Sequence, residues 1–322
     1  MSFKVYTSDE LTNEAYHKES DHVSGSGLAH IFSTCPAAYK FAEHDDSNKA
    51  LKFGTLAHTV ILENYVFDAT YYRQPAQEEF EDLITSKTAL ATRLKSMGIA
   101  GTSGKDYPEL MEILALSGES LNVWWDIQRS SEVKANGREI VSAKDFDTVH
   151  AMREVLCGIP AYNAIVNSKT AQRELSIFGE INECGVKVRL DHVDVVDDVV
   201  YIRDYKTTSD ASPSGFGRLA FKHGYLLKMA LQHDLFVRAF NEKRRVVVQL
   251  LCQEKKSPFL PMCYTITKEH LKVGRLQYMS ALSTYKQCKK LDIWPGYGFG
   301  ETEMELQVPE YEMKKYEDST NS

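Results

Sequence analysis

The stretch LDHVDVVDDVVYIRDYKTTSD, residues 190–210, sets six Asp residues and one Lys into two runs that otherwise read as β-strands. Strands disfavour Asp, whose short polar side chain packs poorly on a pleated surface and competes for backbone hydrogen bonds. A carboxylate kept inside such a run needs a partner. Period-two alternation in residues 186–191 puts Val186, Val188 and Leu190 on one face and Lys187, Arg189 and Asp191 on the other. In the next run Val200, Ile202, Asp204 and Lys206 share a face. Asp197 and Asp198 form a natural turn between the runs. Pairing across that turn brings Asp191 and Asp204 near one point, with Lys206 one pleat further on.

The surrounding pattern places these runs in a larger sheet. Strand-like periodicity covers residues 173–183, 185–196 and 199–206. A helix follows to about Phe240, then strands at 245–254 and 259–266, then a long helix to about Lys290. A helix begins near Ser142, with Ser142 and Asp145 as a variant capping box. The order α-β-β-β-α-β-β-α predicts an α/β (α+β) fold, a mixed central sheet flanked by helices. Upstream, residues 1–25 are polar and a helix is entered from the Ser24–Ser26 region. Another spans residues 53–63, where Leu56, Val60 and Ile61 recur about a turn apart on a buried face. Residues 68–140 read as helices with loose joints. The expected organisation is an N-terminal helical portion (1–140), a core (141–308) and a polar tail (309–322), packed as one compact domain.

Several function classes are excluded. With 322 residues, 43% hydrophobic and 26% charged, the chain has the makings of an ordinary packed core. No apolar run approaches the roughly 20 residues of a membrane span, and the start MSFKVYTSDEL lacks a leader's apolar core, so a cytoplasmic protein without membrane contact is expected. The six cysteines show no C-x-x-C spacing and read as reduced thiols, not zinc or iron–sulfur ligands. Gly104-Lys105 fails as a nucleotide-binding loop: Gly98 and Gly101 are wrongly spaced and Asp106 stands where a hydroxyl is required. The segment around it suggests either a surface helix pair or a small helical hairpin of a kind that touches DNA. A net charge of −7 argues against a protein that coats nucleic acid, yet leaves room for a local basic channel.

Two readings fit the Asp191/Asp204/Lys206 group on residues alone. One is an ion-pair network at a sheet edge. The other is a hard-cation site, with carboxylates suited to Mg²⁺ and a lysine beside a phosphate or a water. His58, in the apolar helix 53–63, is either a satisfied core residue or a ligand. Gln232, three residues after Met229 and four before Phe236, faces the sheet, where a buried amide needs partners.

Six segments together resemble the exonuclease VIII (RecE-type) family of phage and prophage exodeoxyribonucleases, in the RecB-like branch of the PD-(D/E)XK nucleases. They are YHKESDHVSGSGLAHIFSTCPAAYK (16–40), FGTLAHTVILE (53–63), ELS (174–176), VRLD (188–191), DYKTT (204–208) and WPGY (294–297), in the family's order over nearly the whole chain. The resemblance implies that His58, Asp191 and Asp204 bind Mg²⁺ (Mn²⁺ as substitute), helped by the carbonyl of Tyr205. It implies that Lys206 orients or activates the attacking water, that Arg189 touches a phosphate, and that Gln232 starts a Q-x-x-x-Y motif. Phe236 stands where that motif has Tyr. Glu174 would be an outer carboxylate, and Trp294 and Tyr297 would be packing residues. The implied activity is digestion of linear duplex DNA ends, 5′ to 3′, releasing mononucleotides. The 3′ strand left behind would pass to a single-strand annealing recombinase in phage-type recombination. The implied assembly is a ring-shaped homo-oligomer around DNA.

Overall fold

The computed structural model describes residues 3–43, 48–301, 303–310, 313, 314 and 316. The strands are β1 (Lys4–Tyr6), β2 (Val23–Ser24), β3 (Tyr71–Arg73), β4 (Glu139–Val141), β5 (Gln172–Ile181), β6 (Cys184–Val196), β7 (Val199–Thr208), β8 (Arg245–Glu254) and β9 (Pro261–Ile266). The helices that precede β5 are α1 (Asn13–Lys18), α2 (Gly25–Ser33), α3 (Pro36–Lys40), α4 (Lys49–Leu62), α5 (Asn64–Thr70), α6 (Lys87–Ser96), α7 (Tyr107–Ser117), α8 (Trp124–Ala135), α9 (Ala143–Gly158) and α10 (Pro160–Val166). Those that follow are α11 (Pro213–Lys222), α12 (Tyr225–Ala239) and α13 (Lys268–Leu291).

The main sheet runs β1-β5-β6-β7-β8-β9, with β2 attached to β6. Its ladders are antiparallel except β7/β8 and β2/β6. This is the mixed α/β architecture expected from the element order. Two hairpins organise its centre. Asn182-Glu183 and Asp197-Asp198 both take positive φ at consecutive residues, the twist-matched two-residue turn that links antiparallel strands tightly.

The opposite faces of β7 and β8 line two separate cores. Ile202 and Leu250 join Leu175, Ile177, Val188, Leu190 and the apolar faces of α2, α12 and α13. Tyr205 and Leu251 face the other way, onto Leu56, Ala57, Val60 and Ile61 of α4 and Val149 and Met152 of α9. The helix expected to run to Phe240 is two helices. Gly224, at φ +65°, separates α11 from α12, and a Cβ there would come 2.9 Å from Ala29 Cβ. Gly274 lets α13 approach α12 closely, since a Cβ would fall 2.1 Å from the Leu226 carbonyl oxygen.

The first 140 residues are not wholly helical: β1 and β2 join the main sheet, and β3 pairs with β4. Neither short strand carries enough residues to show periodicity. Between β3 and β4 lies a helical unit, α6–α8, with its own core of Ile84, Leu90, Leu94, Leu110, Leu114 and Val123. Caps follow the sequence closely. Ser24 Oγ accepts from Gly27 N at 3.1 Å. Ser142 Oγ accepts from Asp145 N at 3.1 Å but donates to the Asp145 carboxylate at 3.0 Å, so the box is half formed. The described cysteines are all free thiols. Among the described residues no helix is long and apolar enough to cross a membrane. Most of the expected tail, 309–322, lies outside the described residues.

Candidate active site

Strand register explains why three carboxylates meet. β5 and β6 pair as Arg173↔His192 and Leu175↔Leu190, which sets Glu174 opposite Asp191. β6 and β7 pair from Val196↔Val199 up to His192↔Arg203; the next step would be Asp191 opposite Asp204, and the ladder ends there. Beyond that point β6 gains β2 at Val186 and Lys187, while β7 continues along β8. The strands part at the two Asp residues. The Tyr205 N–H, released from the ladder, donates to Asp191 Oδ2 at 2.9 Å.

The pleat also reverses at this position. Arg173 and His192 reach the α10 carbonyls of Val166 (2.9 Å) and Ile165 (3.1 Å), whereas Leu175 and Leu190, two residues along, lie in the α2–α12–α13 core. Residues two apart in a strand normally share a face. Glu174 absorbs the reversal with φ +53°, a left-handed conformation costly for a residue with a side chain. Strain of this kind persists where surrounding structure imposes it.

α4 is docked over the parting strands by its apolar stripe on Tyr205 and Leu251. That places His58 Nε2 3.2 Å from Asp191 Oδ2 and 3.5 Å from Glu174 Oε1. One ligand atom each from His58, Glu174 and Asp191 lies within 4.8 Å of the others. Lys206 Nζ sits 2.5 Å from Asp204 Oδ2, donates to the Tyr205 carbonyl at 3.1 Å and lies 3.9 Å from Asp191. Gln232, on α12, donates its amide to Asp204 Oδ1 at 3.4 Å and to the Arg189 carbonyl at 3.5 Å. The expected residues His58, Asp191, Asp204, Tyr205, Lys206 and Gln232 are thus brought together.

The electrostatics are those of crowded, buried charge. Burial opposes the His58 cation, but the Asp191 and Glu174 carboxylates outweigh it and push its pKa up to about 9. Burial, with Asp191 beside it, raises Glu174 to about 8 against the pull of His58. Burial would raise Asp191 too, yet Lys206, His58 and the Tyr205 N–H together hold it down at about 2. Asp204 is raised by burial and by Asp191, with Lys206 partly offsetting them. Glu174 Oε1 and Gln232 Oε1 are buried and accept no hydrogen bond. Buried acceptors left open in this way are uncommon in folded proteins.

Three expectations are corrected. Arg189 is not held out toward a phosphate. Its guanidinium is engaged by Ser176 Oγ (2.9 Å), the Leu11 carbonyl (2.8 Å) and Asn13 Oδ1 (3.1 Å), and it lies over the Tyr16 ring. It ties the N-terminal segment to β6. Tyr297 is not a packing residue, being 73% exposed, whereas Trp294 does pack, against Tyr39 and Tyr285. Glu174 is not an outer group: it sits within the His58/Asp191 cluster. Alternation alone hides this, because its place depends on a positive φ that nothing in ELS announces. Phe236 is buried beside Phe240 in the α12 core, with no polar role.

Residues 25–305 match the model of a family described as a PDDEXK-like domain of unknown function (DUF3799). The matched span contains every residue of the cluster. No curated protein sequence matches the chain. Among solved structures it is similar to a candidate exonuclease from Eubacterium rectale, 12% identical over 96% of this chain and 97% of that one, with a TM-score of 0.49. It is also similar to protein VC1899 from Vibrio cholerae, 11% identical over 83% of this chain and 56% of that one, with a TM-score of 0.20.

Proposed function

The chain belongs to the PDDEXK-like domain family DUF3799, and so to the PD-(D/E)XK superfamily; on that premise we propose that it is a divalent-metal-dependent exodeoxyribonuclease acting on the ends of linear double-stranded DNA. One observation carries the reading. His58, Glu174, Asp191 and Asp204 converge where β6 and β7 part, beside Lys206.

The donor set fits a hard divalent ion. Three carboxylates and one imidazole provide oxygen-rich coordination of the kind Mg²⁺ takes, with Mn²⁺ as substitute. The raised pKa values of His58 and Glu174 mean that protons occupy the place of a cation, and the Glu174 Oε1 atom has no hydrogen-bond donor. His58, Glu174, Asp191 and Asp204, with the Tyr205 carbonyl, would hold the ion. A divalent cation bound there supplies Lewis acidity toward a phosphoryl oxygen and lowers the pKa of a water.

The chain's own groups do the rest. Asp191, kept ionised by Lys206, His58 and the Tyr205 N–H, is a fixed negative anchor. The Gln232 amide restrains Asp204. Lys206 keeps its ammonium at the junction of Asp204, Asp191 and the Tyr205 carbonyl, where it can orient a water and offset charge that builds on the phosphoryl oxygens in the transition state. Burial of these groups makes each charge count for more than it would in water.

Finer features follow from the exonuclease VIII resemblance: 5′ to 3′ digestion to 5′-mononucleotides, a 3′ single-stranded product taken by an annealing recombinase in phage-type recombination, and a homo-oligomeric ring. A ring suits a net charge of −7, since basic residues can line a channel while the exterior stays acidic. The test is digestion of linear duplexes labelled at either the 5′ or the 3′ end, with and without Mg²⁺, beside closed circular DNA. The expected result is metal-dependent loss of the 5′ label as mononucleotide with the circle intact. Nicking of the circle would make the protein an endonuclease. Digestion that survives exhaustive chelation would remove the metal from the account.

A further inference from the structure

Lys228 stands out among the cations around this site. Tyr225, Lys228 and Gln232 recur at i, i+3 and i+7 along α12 and so share one helix face. Gln232 on that face touches Asp204. One turn earlier, Lys228 lies in the electrostatic field of both Asp204 and Lys206. Its stem lies against the start of α2, since a Cβ on Gly25 would sit 3.7 Å from the Lys228 Cα and Cγ atoms. Its ammonium lies 5.2 Å from the centre of the Tyr225 ring.

The neighbouring cations are all matched. Lys206 has Asp204 at 2.5 Å and Asp191 at 3.9 Å. Lys187 donates to the carbonyls of Tyr16 and Glu19. Arg189 is engaged by Ser176, Leu11 and Asn13. The Lys228 ammonium forms no ion pair and no hydrogen bond among the described residues, although the residue is half-buried. Burial, and then the nearby Lys206 charge, disfavour its ammonium and pull its pKa down, with Asp204 only partly offsetting them. A half-buried, unmatched cation beside a like charge is costly unless an anion completes it.

We propose that Lys228 is a phosphate-binding residue of the site, its ammonium taking a non-bridging oxygen of the DNA backbone beside the position served by Lys206. The assignment rests on the nuclease reading above and deepens it. Lys206 is neutralised by its carboxylates, so its charge contributes little to drawing DNA in. Lys228, with no carboxylate paired to it, supplies the charge that does. Tyr225 beneath the ammonium adds a ring face that favours a cation there.

The experiment measures binding of the full chain to an end-labelled linear duplex in EDTA by fluorescence anisotropy, over a series of salt concentrations. Wild type is compared with Lys228→Met, which keeps the apolar stem, and with Lys228→Arg, which keeps the charge. A lost phosphate contact lowers the slope of log affinity against log salt by about 0.9 on duplex, or about 0.7 on a single strand. The expected result is that slope change in Lys228→Met with affinity roughly tenfold weaker at low salt, a melting temperature no lower than wild type, and a wild-type slope in Lys228→Arg. A Lys228→Met protein with wild-type affinity and slope overturns the assignment. So does one that melts earlier with its slope unchanged, because that is the signature of packing alone. If wild type itself shows no salt-dependent binding, the nuclease reading falls and this assignment with it. If wild type shows salt-dependent binding and Lys228→Met matches it, the assignment alone falls.

Discussion

Lys187 and Arg189 share strand β6 with Asp191, and all three are largely buried, yet their surroundings differ in kind. Lys187 and Arg189 have carbonyls, a hydroxyl, an amide oxygen and a ring face that use their donors, and one carboxylate each, Glu19 at 3.4 Å and Glu174 at 4.0 Å. Two residues beyond Arg189, Asp191 meets Glu174 and Asp204, carboxylate against carboxylate, with an acceptor of Glu174 left open. Asp234, between α12 and α13, makes the same contrast from a carboxylate's side. It accepts two bonds from Arg275 at 2.7 Å each, one from Tyr278 at 2.8 Å and one from His233 at 2.8 Å. Charges that hold a fold together are matched within it. Charges left crowded or open are those a ligand completes.

The largest effect that would break this comparison is at Lys206. Lys206→Ala should reduce DNA cleavage by on the order of a thousandfold, equivalent to about 4 kcal/mol of transition-state stabilisation, while the protein stays folded. Turnover on end-labelled duplex, measured beside a thermal melt, reads both. Near-normal turnover in a folded variant would return the group to a structural ion pair.

Asp234 should behave in the opposite way. Asp234→Asn is expected to cost about 2–4 kcal/mol of stability, because Arg275 then loses its charge partner in a half-enclosed place, while cleavage per folded molecule persists. Burial alone would raise the Asp234 pKa, but its bonds to His233, Arg275 and Tyr278 hold it far below the usual carboxylate range. A depressed carboxylate stabilises the fold above its unfolded value of about 4 and loses that contribution as pH falls below it. Acid melts of the variant should therefore show less loss below pH 4 than those of wild type.

Arg189 sharpens the same line. Arg189→Met should lower stability by about 1–3 kcal/mol through the acceptors it leaves unpaired, without changing the salt slope of DNA binding. A changed slope would restore it as a phosphate contact.

The smallest effect concerns pH. Glu174 is raised from 4.5 to about 8 and His58 from 6.5 to about 9 in the metal-free protein. A group raised on folding stabilises fully below its unfolded value, and that stabilisation is lost as pH rises through the folded one. Metal-free melting temperature should decline between about pH 5 and pH 9, and Glu174→Gln should flatten the lower part of that decline. With Mg²⁺ the trend should reverse, since ligands bind metal only when deprotonated. Identical pH profiles with and without metal would contradict the site.

Much of this site was legible beforehand, for reasons that can be named. Asp191, Asp204 and Lys206 announce themselves because carboxylates interrupt strands and a tight Asp-Asp turn fixes the register between them. Gln232 follows from a helix face whose other residues are apolar; the same pattern leaves His58 open between core and ligand, and only the family resemblance draws it into the site. The inner place of Glu174 is hidden from the sequence, because a left-handed residue in mid-strand reverses the pleat and periodicity assumes that nothing does. The surroundings of Arg189 are not readable from its strand, because its partners Leu11 and Asn13 come from a segment more than 170 residues away. β1 and β2 escaped for a related reason: two or three residues form a strand only when a neighbour supplies the ladder. Lys228 drew no notice in the sequence, since a lysine on a helix is ordinary until its lack of a partner is seen.

Calorimetric titration of Mn²⁺ into the metal-free chain tests most directly whether the crowded carboxylates and His58 form a cation site. Wild type should bind with release of protons, detected as a heat that varies with the buffer's ionisation enthalpy, because His58 and Glu174 hold protons that the ion displaces. His58→Ala should weaken that binding markedly and shrink the proton release. No binding to wild type, or equal binding and proton release in His58→Ala, would contradict the claim.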